Sequence, residues 1–225
     1  MSEDVTFKAR GGAEAHGALG RPATDGAVGA VVLLHEWWGL NEQTRGMCDR
    51  IAGMDFLVLA PDLYQGKVAA NAEEAAALMN ALSWTDALEV IAGALAHLQD
   101  DSRCNGNVAV LGFCMGGAGA FVAAGNIPGF VAAVPFYGLP PDRYMQWDTF
   151  NVPVQAHFAR RDDWAKADVA KALQARLQAQ GCPMDLYVYD AQHAFVNERR
   201  LDVHDPSAAK LALARVNEFL HDHLG

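Results

Sequence analysis

The chain has 225 residues, 52% of them hydrophobic, which is the size and composition of one large α/β domain with a substantial core. A formal net charge of −10 excludes a polyanion such as nucleic acid as the expected partner. The first residues, MSEDVTFKAR, lack the basic start and apolar run of a secretory signal, and no window holds about 18 uninterrupted apolar residues, so no membrane span is expected.

In chain order, Val5 to Arg10 alternates in polarity and is followed by Gly11-Gly12, the pattern of a hairpin edge with Ala13 to Gly20. Gly20 to Gly29 reads as an exposed loop. Ala30 to Leu34 is a continuous apolar run, as a strand buried on both faces requires, and Phe56 to Ala60 is another, stopped by Pro61. Glu42 to Met54 between them has helical period. Ala72 to Asp100 reads as two helices broken near Ser83-Trp84. Asn107 to Gly112 predicts a third buried strand and Gly116 to Ala124 the helix after it. Gly129 to Phe136, Val152 to Phe158 and Met184 to Tyr189 are further strands, Lys166 to Gln180 a helix, and Ser207 to His221 the last helix, with Asp205-Pro206 as its start signal. Short β-rich runs alternating with Ala-rich helices predict a mostly parallel central sheet covered by helices on both faces.

Four cysteines, Cys48, Cys104, Cys114 and Cys182, are scattered without a C-x-x-C pair, which fits a reducing cytoplasm. The eight histidines do not cluster with them at ligand spacing, so neither a metal nor another cofactor is expected. Cys114 differs from the rest. It lies in Gly112-Phe113-Cys114-Met115-Gly116-Gly117, a G-x-C-x-G version of the nucleophile elbow at a strand-to-helix junction. Such a turn lifts the sulfur above the sheet beside the first N–H groups of a helix, which favours a thiolate and later an oxyanion. The plainer alternative is a small buried residue in a Gly-rich turn.

An α/β-hydrolase supplies its acid and then its histidine from the ends of later strands. Asp162 follows the strand Val152 to Phe158, and His193 follows Met184 to Tyr189. Asp162 is preferred to Asp163 as the carboxylate that orients the imidazole, a helix N-cap being the alternative for either. His157 reads as a core histidine; His16, His97, His204, His221 and His223 read as solvated. After the first buried strand, Leu34-His35-Glu36-Trp37-Trp38-Gly39-Leu40-Asn41 occupies the loop that donates the second oxyanion N–H, here that of Trp37 beside that of Met115. Glu36 is unexpected there, because a carboxylate repels developing negative charge unless it is protonated or hydrogen-bonded. An exposed loop carboxylate is the alternative.

The combination of H-E-W-W-G-L-N, P-D-L-Y, G-F-C-M-G-G, R-x-D-D-W and Y-D-A-Q-H-A-F resembles the dienelactone hydrolase family over nearly the whole chain. The resemblance implies an α/β-hydrolase fold with Cys114 as nucleophile, His193 as base, Asp162 as orienting acid, and Glu36 as a carboxylate that holds the resting thiol, so that the triad completes only on substrate binding. It implies a small ester or lactone substrate cleaved through a thioester, with Trp38, Tyr64, Lys67 and Phe195 as candidate substrate contacts. The family's arginines for a substrate carboxylate have no obvious counterpart: Gln65-Gly66-Lys67 follows P-D-L-Y, and Ala194-Phe195-Val196-Asn197 follows His193, with Arg199 and Arg200 only later. Lys67 or Arg199 is the candidate replacement, and the aromatic residues of Tyr137 to Trp147 either line a pocket mouth or pack. A thioesterase or acyl transferase on the same triad, and a redox-sensing binding protein, are the alternatives. A monomer is the expectation.

Overall fold

The computed structural model describes residues 1–225 and contains one eight-stranded sheet. Its strands are β1 (Glu3–Lys8), β2 (Glu14–Gly20), β3 (Val28–Leu34), β4 (Leu57–Pro61), β5 (Cys104–Phe113), β6 (Phe130–Phe136), β7 (Val154–Arg161) and β8 (Met184–Gln192). Their order across the sheet is β1-β2-β4-β3-β5-β6-β7-β8. The hairpin β1-β2 joins β4 antiparallel, and every pairing from β4 to β8 is parallel. The helices are α1 (Glu42–Ala52), α2 (Ala72–Ala81), α3 (Trp84–Asp100), α4 (Met115–Asn126), α5 (Ala167–Ala179) and α6 (Pro206–Leu224). They cover both faces, giving the α/β-hydrolase fold.

The central strands are apolar on both faces because both faces are covered. Val31 to Leu34 and Val108 to Leu111 are fully buried, and one contiguous core runs from the hairpin to β8 and α6. The break at Ser83 is real, and its hydroxyl accepts the Asp86 N–H to cap α3. Three expectations need correction. Cys104, read as a loop residue, opens β5, which starts three residues before Asn107. His223 and His204 are half-buried, with their Nδ1 atoms bonded to the Phe219 and Phe195 carbonyls at 2.9 Å, whereas His221 is exposed as expected, with one face on Phe56. Their imidazoles offer apolar faces to α6 and its neighbours, which periodicity does not reveal. No helix is long and apolar enough to cross a membrane.

All parallel strands end on one edge, so the segments after β3, β5, β6, β7 and β8 converge there. That edge carries the candidate chemistry.

Candidate active site

Cys114 sits between β5 and α4 with φ 55° and ψ −115°, a backbone conformation that L residues rarely adopt and that costs about 1–3 kcal/mol. The flanking glycines make it possible. A Cβ on Gly112 would lie 2.0 Å from the Gly116 carbonyl oxygen, and one on Gly116 would lie 2.4 Å from that of Leu34. The strand, the elbow and the loop after β3 are therefore in backbone contact, and only glycine fits between them. Tyr137 and Ala194, which follow β6 and adjoin His193, also have positive φ.

The sulfur of Cys114 is 3.2 Å from His193 Nε2, and His193 Nδ1 is 2.7 Å from Asp162 Oδ2. The Asp162 side chain is completely buried and that of His193 is 25% exposed, so the acid is shielded while the base reaches the surface. Asp162 does both of the things the sequence left open. Its Oδ2 takes the imidazole, and its Oδ1 accepts the N–H groups of Trp164 and Ala165 at 2.8 and 2.9 Å. Asp163 is exposed. Burial opposes charge on His193, but hydrogen bonds to Asp162 and Cys114 and the charges of those two groups outweigh it and lift the imidazole to about 10. The imidazole thus holds a proton more firmly than a free one does, with the Cys114 sulfur within hydrogen-bond reach of its Nε2.

Glu36 is buried, not an exposed loop carboxylate. Its Oε2 accepts from Asn197 Nδ2 at 2.6 Å and its Oε1 from the Tyr137 hydroxyl at 3.3 Å. This departs from the expectation that Glu36 holds the resting thiol. The thiol is already on His193, and the carboxylate is held by neutral donors instead. Burial pushes Glu36 up, only partly offset by Asn197, His193 and Tyr137. His35, buried beside it, ties the loop down. Its Nε2 accepts the Leu63 N–H at 3.2 Å, so Nδ1 carries the proton and donates to the Glu36 carbonyl at 2.6 Å. Burial pushes His35 down, in keeping with a neutral ring.

The N–H of Trp37 donates to no group of the chain, and that of Met115, the first residue of α4, has no intrahelical acceptor. Trp37 and Trp38 are half-buried with rings 5.2 Å apart. Tyr64 is buried, edge-on to His35, with its hydroxyl 3.1 Å from the Met115 sulfur, so it supports the elbow from below. Phe195 is corrected from substrate contact to core: it is fully buried against Phe136, Tyr137 and Tyr189. Lys67 is exposed, lining a hollow with Leu78 and Leu82. The arginine whose charge is felt at Cys114 and Glu36 is Arg200, not Arg199, and Asp202 already holds it through two hydrogen bonds at 2.9 and 2.6 Å. Of the aromatic stretch, Tyr137 faces His193 at 5.0 Å while Trp147 packs on Phe121 and Phe150. No three His, Cys, Asp or Glu side chains gather as a metal site.

Tyr137, expected only as one aromatic residue of a stretch that lines a pocket mouth or packs, bonds Glu36, and Asn197 was not foreseen as a site residue. Asn197 stands four residues past His193, a position noted only for lacking arginine; its partner Glu36 is 161 residues away.

The dienelactone hydrolase family model matches residues 16–224. Protein usf of Aquifex pyrophilus is 32% identical over the whole of both chains. Carboxymethylenebutenolidase 1 of Cupriavidus pinatubonensis is 26% identical over 98% of this chain and 97% of its own. Among solved structures, a dienelactone hydrolase-like promiscuous phosphotriesterase from metagenomic libraries superposes with a TM-score of 0.88 at 18% identity, covering 100% of this chain and 99% of its own. With a family model spanning nearly all of its residues and a full-length relative of that identity, the chain belongs to the dienelactone hydrolase family, and is a hydrolase of the α/β-hydrolase superfamily.

Proposed function

We propose that the protein hydrolyses small carboxylic esters or lactones through a thioester on Cys114. The observation that carries this reading is the continuous line from Cys114 Sγ through His193 to Asp162, at 3.2 and 2.7 Å, on a strained elbow. The sulfur, its proton passed to His193, attacks the acyl carbon. The N–H groups of Trp37 and Met115 receive the carbonyl oxygen as it becomes an oxyanion. Collapse breaks the acyl C–O bond, and His193 gives its proton to the departing alkoxide. Water then attacks the thioester, His193 takes the water proton, and the thiolate leaves with the acid released. Asp162 keeps the imidazole in one tautomer throughout. Tyr137 and Asn197 donate to the two oxygens of Glu36, so hydrogen bonds meet the charge of this carboxylate next to the oxyanion donor Trp37.

Substrate preference follows from the same residues. Asp202 already neutralises Arg200, and Lys67 lies exposed in another hollow, so neutral esters and lactones are turned over at least as well as those bearing a free carboxylate. A panel of lactones with and without that group checks this. For the nucleophile, Cys114→Ala lowers kcat/KM on 4-nitrophenyl acetate by at least about 10³-fold; unchanged turnover in the variant sinks the cysteine mechanism.

A further inference from the structure

Trp37 stands three residues beyond the end of β3 and Trp164 three residues beyond the end of β7, yet their rings meet edge to face with centroids 6.0 Å apart. Two strands, β5 and β6, lie between β3 and β7 in the sheet. At ladder spacing that gap is about 14 Å. The two loops thus lean toward one another across the strand ends that carry Cys114 and Tyr137, and the indoles join them. The bridge is anchored in the site at both ends. Trp37 follows Glu36 directly, and the Trp164 backbone N–H donates to Asp162 Oδ1 at 2.8 Å.

Trp38 stacks edge-on against Trp37 at 5.2 Å, so Trp37 is held between two indoles. Trp164 has only Trp37 as an aromatic neighbour and is 75% exposed. An indole left that open, braced by its backbone to the triad acid and covered only by Trp37, is a large apolar face at the rim of the site. The exposed charges beside it, Asp163 and Lys166, are of opposite sign and select no ion.

We propose that Trp164, with Trp37 behind it, forms an aromatic subsite that takes a planar aryl or conjugated group of the ester. This rests on the ester-hydrolase reading above. A flat group gains ring stacking beyond its area burial, which an alkyl group of similar size does not.

The test compares kcat/KM on phenyl acetate, methyl benzoate and methyl acetate for the wild type, Trp164→Ala and Trp164→Phe. The preference for at least one aryl ester over methyl acetate falls about tenfold in Trp164→Ala, through KM, and returns in Trp164→Phe. Loss on phenyl acetate places the aryl group on the alcohol side, and loss on methyl benzoate places it on the acyl side. Equal loss on all three esters, or no loss, overturns the subsite. Calorimetric binding of whichever aryl ester, phenyl acetate or methyl benzoate, binds Cys114→Ala more tightly, with and without Trp164→Ala, separates the two ideas. Binding that weakens about tenfold with the second substitution keeps the subsite even if the wild type hydrolyses none of the esters, whereas unchanged binding removes it.

Discussion

Two histidines, one on β7 and one just past the end of β8, are driven in opposite directions. His193, at the carboxyl edge after β8, is lifted to about 10, while His157, in the middle of β7, is driven down to about 3. Burial disfavours the charge on both. The difference is the partner. His193 faces a buried carboxylate and a sulfur, whereas His157 lies between Phe136 and Tyr187 and bonds only Gln155 and the Tyr189 hydroxyl. The charge that His157 feels is that of Arg215, a cation, which lies 4.0 Å over Tyr187 and bonds the same Tyr189 hydroxyl. Desolvation sets the size of the stake, and the sign of the neighbour decides which protonation state the fold keeps.

The comparison breaks most sharply at Asp162. Asp162→Asn lowers kcat/KM by on the order of 10³ to 10⁴ and brings the His193 titration, followed by NMR, from about 10 back toward 6.5. A titration that stays near 10 removes Asp162 as the cause. Next is acid stability. The unfolded His157 takes up a proton below pH 6.5 and the folded one only near 3, so stability falls as pH drops through that window, by about 3 kcal/mol at pH 4.5. His193 works on the alkaline side: its contribution is complete below 6.5 and withdrawn as pH rises toward 10. Urea midpoints of His157→Asn between pH 4 and 7 should therefore lose much of the acid slope, and the wild-type slope persisting would mean that other groups carry it. The smallest effect is at Asn197, where Asn197→Ala removes a donor from buried Glu36 and costs about 1–3 kcal/mol at neutral pH. A urea midpoint matching the wild type would show that Glu36 finds another partner.

What the sequence makes legible here is local or ordered. Apolar runs mark the buried strands, Gly112 and Gly116 mark the elbow, and Asp162 and His193 each follow a strand in the order the fold requires. Element ends are less legible, since β5 begins in polar residues such as Asn105 and β8 runs on to Gln192, which pairs with Arg161 because its neighbours pair. Partner choice is least legible of all. Glu36 could bond the thiol, solvent or another side chain, and only the packing of the β6 and β8 loops brings Tyr137 and Asn197 to it. Phe195 misled for the same reason: position beside the catalytic histidine says nothing about which side of the loop a ring faces. Arg199 and Arg200 are adjacent in the chain, and the turn that begins at Asn197 decides which of them turns toward the site.

The order of these pieces along the chain has a consequence for synthesis. Cys114 is made straight after β5, but its base comes only after β8, and β8 docks on β7, which docks on β6. Parallel strands pair only once their crossovers are complete, so this side of the sheet forms late and by long-range contacts. Until then Cys114 on the nascent chain is a thiol without a histidine. The protein arms its sulfur only when the sheet has closed as far as β8.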